Sequence, residues 1–418
     1  MAGEEGKPSQ RQGDGSGREM AAAGRWQRQG DGTAQGTIGV MSFDSGSDLP
    51  DQIIRQILGK AAEVAGEVRE LFASVDSRRE LLRNQLILES RILHTDELPI
   101  VEAPACCAID GGAAVEKGLG MDTALAVAVG VEGLGGAGLW KETPFAAWQK
   151  TLQHEGDATG STCRAVMTSL ELSLLANAPH PVVLLDGSHL TPVISLNAAL
   201  SIRDDGLRHE LASTFEQYAT AEALHAAMFN PEIVALVKYD GTRDLGETWL
   251  GGQLKLDDRT AMTLLLQADE YTEPVPLGLT QKSKRNWIAK EIQKLTPSDA
   301  VRERVREAVN EAVSQVRTDG LFATYYKPQP WSHAFRLELK KEIAQSPERL
   351  AGVFATIKAQ VISPEIREPY PQYVADRMAK SVGDALVALR TAVHYDLADA
   401  GLSEYVALVA HSYRTEAL

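Results

Sequence analysis

This 418-residue sequence has little cysteine, no long apolar run and no excess of positive charge. Its three cysteines, including the adjacent pair Cys106 and Cys107, are too few for a disulfide framework or a cysteine-rich zinc site. No stretch reaches the roughly 18 apolar residues of a membrane span, and the amino terminus lacks the apolar core of a secretory signal. The formal net charge of −15 disfavours non-specific coating of nucleic acid but is compatible with a local basic groove. We therefore expect a cytoplasmic protein that does not enter the membrane.

The first forty residues have few large apolar side chains and contain 10 of the 35 glycines. A direct repeat, Arg-Gln-Gly-Asp-Gly, begins at Arg11 and again at Arg28. Such a composition buries too little apolar surface to offset the entropy of the chain, so we predict a disordered tail over residues 1–45. Met41 is an alternative start of the protein.

Residues 46–97 are predicted to form a helical segment. Apolar residues such as Ile53, Ile57 and Val64 recur every three or four positions, which is the period of an amphipathic helix, and the same spacing continues from Leu71. The pattern predicts two amphipathic helices. Their apolar faces are typical of a packing or dimerisation element.

Beyond residue 97 the pattern changes to short apolar strands that alternate with helices. The strands are predicted at residues 104–110, 123–131, 138–142, 181–186, 233–237, 321–326 and 334–339. The helices are predicted at residues 161–176, near 208–228 and at 258–267, with further helices in the last third of the chain. Alternating strands and helices indicate an α/β domain with a mixed sheet. We assign residues 98–400 to this domain and residues 401–418 to a C-terminal helix.

Three acidic residues occupy unusual positions in these elements. Asp110 and Asp186 each end an apolar strand and precede glycine, and strand ends in an open α/β sheet are where ligands bind. Asp-Gly is also a common turn dipeptide, so a plain turn is the alternative for each aspartate. Glu171 lies on the apolar face of a helix with Met167 and Leu174, where a carboxylate needs either a partner charge or a route to water.

The order of these elements is strand with Asp, strand, strand, helix with Glu, strand with Asp. An RNase H-like nuclease core has the same order, and its mixed sheet brings the acids together. Such a cluster of hard oxygen ligands suits Mg²⁺ or Mn²⁺, and two ions about 4 Å apart can activate a water and stabilise the leaving oxygen of a phosphodiester. The fold we expect is therefore α/β, an RNase H-like mixed sheet flanked by helices, preceded by the helical segment and the disordered tail.

Seven segments between residues 103 and 380 form a recognisable series. They are CAIDGG at 107–112, LE at 170–171, VLLDGSHL at 183–190, VALVK at 234–238, DDR at 257–259, FRLEL at 335–339, and PYP with VAD at 369–376. In this order and spacing they resemble the NurA nucleases, which process DNA ends together with the hexameric ATPase HerA. No single segment is specific, and the series carries the resemblance.

The resemblance implies a metal-dependent DNA nuclease with 5′–3′ exonuclease and single-strand endonuclease activity, acting in DNA end processing, repair or defence against phage. It implies Asp110, Glu171 and Asp186 as ligands of Mn²⁺ or Mg²⁺ in a two-metal site, and Tyr370 as an active-site residue. It also implies a homodimer that docks on a HerA-type translocase.

The chain departs from the family pattern after Tyr370. Many members carry an Ala-His pair where this sequence has Ala375 and Asp376. Either Asp376 binds the metal as another oxygen ligand, or the final ligand is lost and activity is weakened. A smaller departure follows Asp110, where the sequence reads Asp-Gly-Gly and the commoner motif is Asp-Gly-Ser.

Two groups of basic residues are candidates for contacts with DNA. Lys238 ends a strand and is a candidate to neutralise a phosphate, although a strand-end lysine with its head in water is the commoner case. The densest basic run holds Lys282, Lys284 and Arg285 around Trp287, a combination that suits phosphate neutralisation and base stacking. The alternative for this run is a solvated helix start with a core-facing tryptophan.

Two other functions remain open on the sequence. A sugar-kinase or actin-like ATPase shares the same sheet and also places Asp-Gly after strands, but no convincing Gly-Gly adenosine motif occurs late in this chain. A non-catalytic, NurA-like partner of a HerA motor is favoured by the missing Ala-His pair. The sequence has no G-x-x-x-x-G-K-[ST] loop, so any ATP-driven motion requires a partner.

Overall fold

The computed structural model describes residues 50–410, apart from positions 119, 137, 200–201, 203, 219–229, 239–240 and 278–319. The chain divides into two compact units, Met1–Ala65 and Gly66–Leu418. The described part of the first unit consists of helix α1 (Asp51–Gly59) and the first residues of α2 (Ala61–Asp76). None of the residues of α1 is buried.

The second unit is built on one mixed sheet, to which the described residues contribute ten strands. They are β1 (Ile92–His94), β2 (Cys106–Lys117), β3 (Met121–Glu132), β4 (Phe145–Gln153), β5 (Val182–Asp186), β6 (Ile233–Val237), β7 (Glu270–Thr272), β8 (Val275–Pro276), β9 (Leu321–Lys327) and β10 (Phe335–Lys340). The order is β1-β7-β9-β10-β6-β5-β2-β3-β4, with β8 paired to β9. β5 is parallel to both β2 and β6, whereas the other described pairs are antiparallel.

The helices of the second unit flank this sheet. They are α3 (Arg79–Leu88), α4 (Asp157–Ala176), α5 (Thr191–Ala199), α6 (Asp205–Gln217), α7 (Asp244–Leu250), α8 (Asp258–Leu265), α9 (Lys341–Ala344), α10 (Pro347–Gln360), α11 (Tyr370–Lys380), α12 (Val382–Asp399) and α13 (Ser403–Ala410). Within the described ranges, no helix combines the length and the apolar character needed to cross a membrane.

Alternation along the central strands divides the core into two faces. In β2, Cys107 and Ile109 pack in one cluster with residues of α4, whereas Cys106 and Ala108 pack in another with residues of α10. Because both faces are covered, β2, β5 and β6 begin as continuous apolar runs rather than as alternating ones. Their first charged residues come only where each run stops, and these residues form the site described below.

Three predicted elements differ from the structure. Residues 46–97 contain three helices, α1 to α3, and the strand β1, not two helices. No strand forms at residues 138–142, and the third strand of the hairpin series is β4, which pairs along β3. The helix predicted from residue 161 begins at Asp157, because Gly156 with φ 59° turns the chain directly before it.

Candidate metal centre

Asp110 and Asp186 are neighbours across two parallel strands. The register of β2 and β5 pairs the residues that directly precede the two aspartates, so both carboxylates start from the same level of the sheet. Asp186 is the last residue of β5 and is followed by Gly187 at φ 94°, which turns the chain away. The prediction that Asp110 ends its strand is wrong. β2 continues to Lys117 because it pairs with β3 beyond the aspartate.

A third aspartate reaches these two from α11. One carboxylate oxygen of each of Asp110, Asp186 and Asp376 lies within 4.8 Å of the other two. Asp110 is 7% exposed, and the side chains of Asp186 and Asp376 are 22% and 20% exposed. No other cluster of three or more potential metal ligands occurs among the residues that the structure describes. The structure thus brings two neighbouring strands and a helix some 190 residues further along the chain to one point.

Lys238, the residue that follows β6, brings a mostly buried positive charge to the cluster, and the more exposed Lys380 pairs with Asp376. Its Nζ lies 2.8 Å from Asp186 Oδ2, 3.1 Å from Glu368 Oε2 and 3.8 Å from Asp376 Oδ1. Burial lowers the pKa of the ammonium, but the attraction of Asp186 and Glu368 outweighs it and the pKa is raised. The alternative of a strand-end lysine with its head in water is wrong, since the side chain is only 18% exposed.

Burial and mutual repulsion raise the pKa values of the acids on the other side of the cluster. The pKa of Asp110 is raised to about 7, first by burial and then by the charge of Asp186, while Lys238 opposes the shift. The pKa of Glu171 is raised to about 8 by burial and by the charges of Asp110 and Asp186. Glu171 is not one of the three clustered aspartates. The backbone N–H of Gly111 faces the Glu171 carboxylate and also donates to Asp110 Oδ1 at 2.8 Å. Four carboxylates therefore share one electrostatic environment.

Two glycines after Asp110 let helices approach β2 from both sides. A Cβ at Gly111 would lie 2.7 Å from Cγ of Met167 and would collide with the Glu171 carboxylate of α4. A Cβ at Gly112 would lie 2.7 Å from the carbonyl carbon of Ala379 in α11. The departure from Asp-Gly-Ser therefore has a structural reason, because a serine in place of Gly112 has no room against the backbone of α11.

Two site residues escaped the sequence reasoning, and both flank the Pro-Tyr-Pro motif. Glu368 contacts Lys238 as described, and Gln372 is fully buried and donates from Nε2 to Asp186 Oδ1 at 3.1 Å. Their only signal is proximity to Tyr370. Tyr370 itself begins α11, and its hydroxyl forms no hydrogen bond with a described carboxylate.

The basic run that was predicted to bind nucleic acid, Lys282, Lys284, Arg285 and Trp287, lies outside the described residues.

The donor set suits a hard divalent cation. Carboxylate oxygens are the ligands that Mg²⁺ and Mn²⁺ prefer. Burial and then the charge of Asp186 raise the pKa of Asp110, and a cation at the site would favour its charged form. Asp186 and Asp376 line a cleft of about 370 Å³ whose walls also include Lys238 and Glu368. Asp110, Asp186 and Asp376 would hold the ion, with Glu171 beside them.

Comparisons with known proteins agree with this architecture at the level of the fold. No family model matches the chain, and no curated protein matches it. Among solved structures, the NurA nuclease from Sulfolobus solfataricus is similar, with 14% identity, coverage of 84% of this chain and 98% of that chain, and a TM-score of 0.53. A structure of NurA with manganese is 14% identical and covers 80% of this chain and 98% of that chain at a TM-score of 0.47. The chain has a NurA-like fold, and the predicted α/β class with a helix-flanked mixed sheet is confirmed.

Proposed function

We propose that the chain is a metal-dependent DNA nuclease that hydrolyses phosphodiester bonds. The observation that carries the proposal is the convergence of Asp110, Asp186 and Asp376, with ligand oxygens within 4.8 Å of one another. The NurA-like fold supports this function over the actin-like ATPase. The position of Asp376 inside the cluster supports an active enzyme over a non-catalytic partner of a motor.

Each residue near the cleft has a role in the proposal. Asp110, Asp186 and Asp376 hold Mn²⁺ or Mg²⁺, and Glu171 completes the ligand set of a two-metal site. Bound ions supply an activated water and neutralise charge on the phosphate oxygens. Tyr370 is an active-site residue at the start of the helix that carries Asp376.

Lys238 is the cation that the chain itself brings to the phosphate. Its ammonium is held between Asp186 and Glu368, so it is already positioned in the cleft and does not have to be recruited from solvent. With Asp186 as a metal ligand, Glu368 would still hold the ammonium, and a donor would be free for a phosphate oxygen. Preorganised charge of this kind stabilises a transition state without a cost of reorganisation.

The proposal extends to substrate and partners. We infer that the enzyme resects 5′ ends and cuts single strands, that it forms a homodimer, and that a HerA-type ATPase feeds DNA to it in repair or in defence against phage. A negative protein of net charge −15 repels DNA over most of its surface. A translocase that delivers the strand to an enclosed site fits this charge.

The test is digestion of end-labelled linear DNA by the purified full chain with Mn²⁺ or Mg²⁺ and with a chelator. We expect cleavage that requires the metal, and a loss of at least about 100-fold in Asp110→Asn, because the variant lacks a charged oxygen ligand and so weakens the hold on the cation that would neutralise the transition state. Asn keeps the shape of the side chain in a site where burial already disfavours the charge, so the variant is expected to fold.

Asp122→Asn is the matched control. Asp122 is another buried aspartate of the same hairpin, paired through Oδ1 with His154 Nδ1 at 2.8 Å. This variant is expected to keep full cleavage. Full activity in Asp110→Asn, or no metal-dependent cleavage by the wild-type protein, would overturn the proposal.

A further inference from the structure

A second cavity, of about 360 Å³, lies at the tip of the β9–β10 hairpin. Its lining includes Trp331, His333, Ile366 and Arg367, so an indole, an imidazole and a guanidinium share one space with apolar side chains. Trp331 is 43% exposed, so a large part of its indole is accessible to a ligand. Nothing in the metal centre uses these residues.

The hairpin tip that presents Trp331 is held in place by hydrogen bonds. The backbone N–H of Ser332 donates to the Gln329 carbonyl at 3.2 Å and closes the turn. The backbone N–H of Ala334 donates to Thr263 Oγ1 at 3.0 Å, and Lys327 Nζ donates to the Thr263 carbonyl at 2.9 Å. The two sides of the hairpin are thus fixed to α8, so the exposed indole belongs to a preformed surface.

Positive charge surrounds the cavity. The pKa of His333 is lowered to about 4, first by burial and then by the charges of Arg259, Arg367 and Lys327, so its ring is neutral at physiological pH. Arg367 is exposed and forms no ion pair with any residue that the structure describes. A local excess of cations in a chain of net charge −15 marks a place where an anionic ligand is attracted.

Consecutive residues line the cavity and the cleft of the metal centre. Arg367 immediately precedes Glu368, whose carboxylate lies 3.1 Å from Lys238 Nζ. From the other side, Arg259 donates a hydrogen bond to the Lys238 carbonyl. A polymer that alternates anionic groups with flat rings matches the chemistry of both sites.

We propose that this cavity is a base-binding subsite for single-stranded DNA, in which Trp331 stacks on one base and Arg367 neutralises an adjoining phosphate. The proposal rests on the proposed function for the position of the strand. An exposed aromatic ring beside cations is what single-stranded nucleic acid uses, and one stacked base contributes roughly 1–3 kcal/mol to binding. Neutral His333 leaves the apolar side of the cavity uncharged, which favours a ring over a second phosphate.

The test measures binding without cleavage. Fluorescence anisotropy with the full chain in a chelator compares a labelled oligo(dT) with an oligomer of the same length made of abasic sites. We expect the wild-type protein to bind oligo(dT) more tightly, and Trp331→Ala to weaken oligo(dT) by about 5- to 100-fold while leaving the abasic oligomer unchanged. Trp331→Phe keeps a ring and is expected to restore most of the preference.

A second variant tests the phosphate contact of Arg367 separately from the base stacking of Trp331, and a control variant accompanies it. Arg367→Met is expected to weaken both oligomers and to reduce the slope of log K against log salt by about 0.7, the value for one phosphate of a single strand. Tyr395→Ala removes a side chain that is 70% exposed on α12 and is expected to change nothing.

The outcomes distinguish the subsite from the proposed function. If Trp331→Ala weakens the binding of both oligomers equally, or of neither, the subsite proposal is overturned. These measurements need no catalysis, so they stand even if the chain cleaves no DNA. Metal-dependent cleavage with unchanged binding in Trp331→Ala would leave the nuclease intact and remove only the subsite.

Discussion

Gln372 on α11 hydrogen-bonds directly to Asp186, a residue of the candidate metal centre. Its fully buried amide donates to Asp186 Oδ1, while Lys238 occupies Oδ2, so both oxygens of the aspartate are oriented. Hydrogen bonds of this kind orient a metal ligand. Their removal commonly weakens metal affinity by about 10- to 100-fold. Gln372 is therefore a positioning residue.

Gln372→Ala is expected to raise the Mn²⁺ concentration for half-maximal DNA cleavage by about 10-fold or more, because Asp186 loses the donor that aims it. The measurement is cleavage rate against metal concentration, which separates metal affinity from maximal rate. Gln360→Ala is the control, since Gln360 is equally buried but bonds to the backbone of Leu134, away from the acids. An unchanged metal requirement in Gln372→Ala would show that Asp186 keeps its orientation unaided.

At the scale of elements, the contact of α11 with β2 assembles the site. The helix brings Asp376 and Gln372 over the strand that carries Asp110, and the backbone of its last turn lies directly on Gly112. A side chain at this glycine cannot be accommodated by a rotamer change, because the atom it meets is a backbone carbonyl. The glycine thereby controls how closely the third acid approaches the other two.

Gly112→Ala is expected to destabilise the protein by about 1–3 kcal/mol, the usual range for overpacking, and to reduce cleavage because α11 must move away with Asp376. Urea unfolding and the DNA digestion measure the two effects. Gly120→Ala is the control, since a Cβ there meets nothing within 4 Å. Wild-type stability and activity in Gly112→Ala would contradict the close approach.

At the scale of the whole molecule, β10 carries two fully buried charged residues. Arg336 and Glu338 are fully buried and form an ion pair, with Nη2 and Oε1 3.3 Å apart, because residues two apart on a strand share one face. Glu338 also accepts from Ser188 Oγ at 2.8 Å and from the backbone N–H of His189 at 3.1 Å. This network joins β10 to the loop after Asp186 and so fixes the position of that loop.

Lys340, 2% exposed at the end of β10, links global stability to pH. Burial is the main cause that lowers its pKa in the folded protein from 10.5 to about 8. At pH 7 the amine is protonated in both the folded and the unfolded state, so the folded state bears the full cost of the buried charge. As the pH rises through 8 the folded state releases its proton first, and the cost disappears by about pH 10.5.

Lys340→Met is therefore expected to unfold with a free energy about 3 kcal/mol higher than wild type at pH 7, a difference that vanishes towards pH 10.5. Urea unfolding of both proteins across this range measures it. Lys341→Met, at the exposed neighbouring position, is expected to differ from wild type equally at all pH values. A pH-independent difference for Lys340→Met would mean that the amine is not the titrating group.

Parts of the candidate site follow from local sequence, and parts do not. Asp110, Asp186 and Lys238 were selected because each is the first charge after an apolar run, and the structure places all three at one cleft or beside it. Glu368 and Gln372 carry no such signal, because a polar residue near a helix start is ordinarily a surface residue. The predicted end of β2 at Asp110 is wrong for another local reason, because Asp-Gly is typical of a turn.

The sequence by itself determined the alternation of strands and helices, the two buried faces of the central sheet and the first two acids, because period and polarity are local properties of the chain. Only the tertiary structure decided that Asp376 joins those acids, that Lys238 is enclosed by carboxylates and that Trp331 stands exposed beside Arg367. These features depend on contacts between residues that are far apart in the chain. Such contacts are set by the packing of whole elements, which no local pattern encodes.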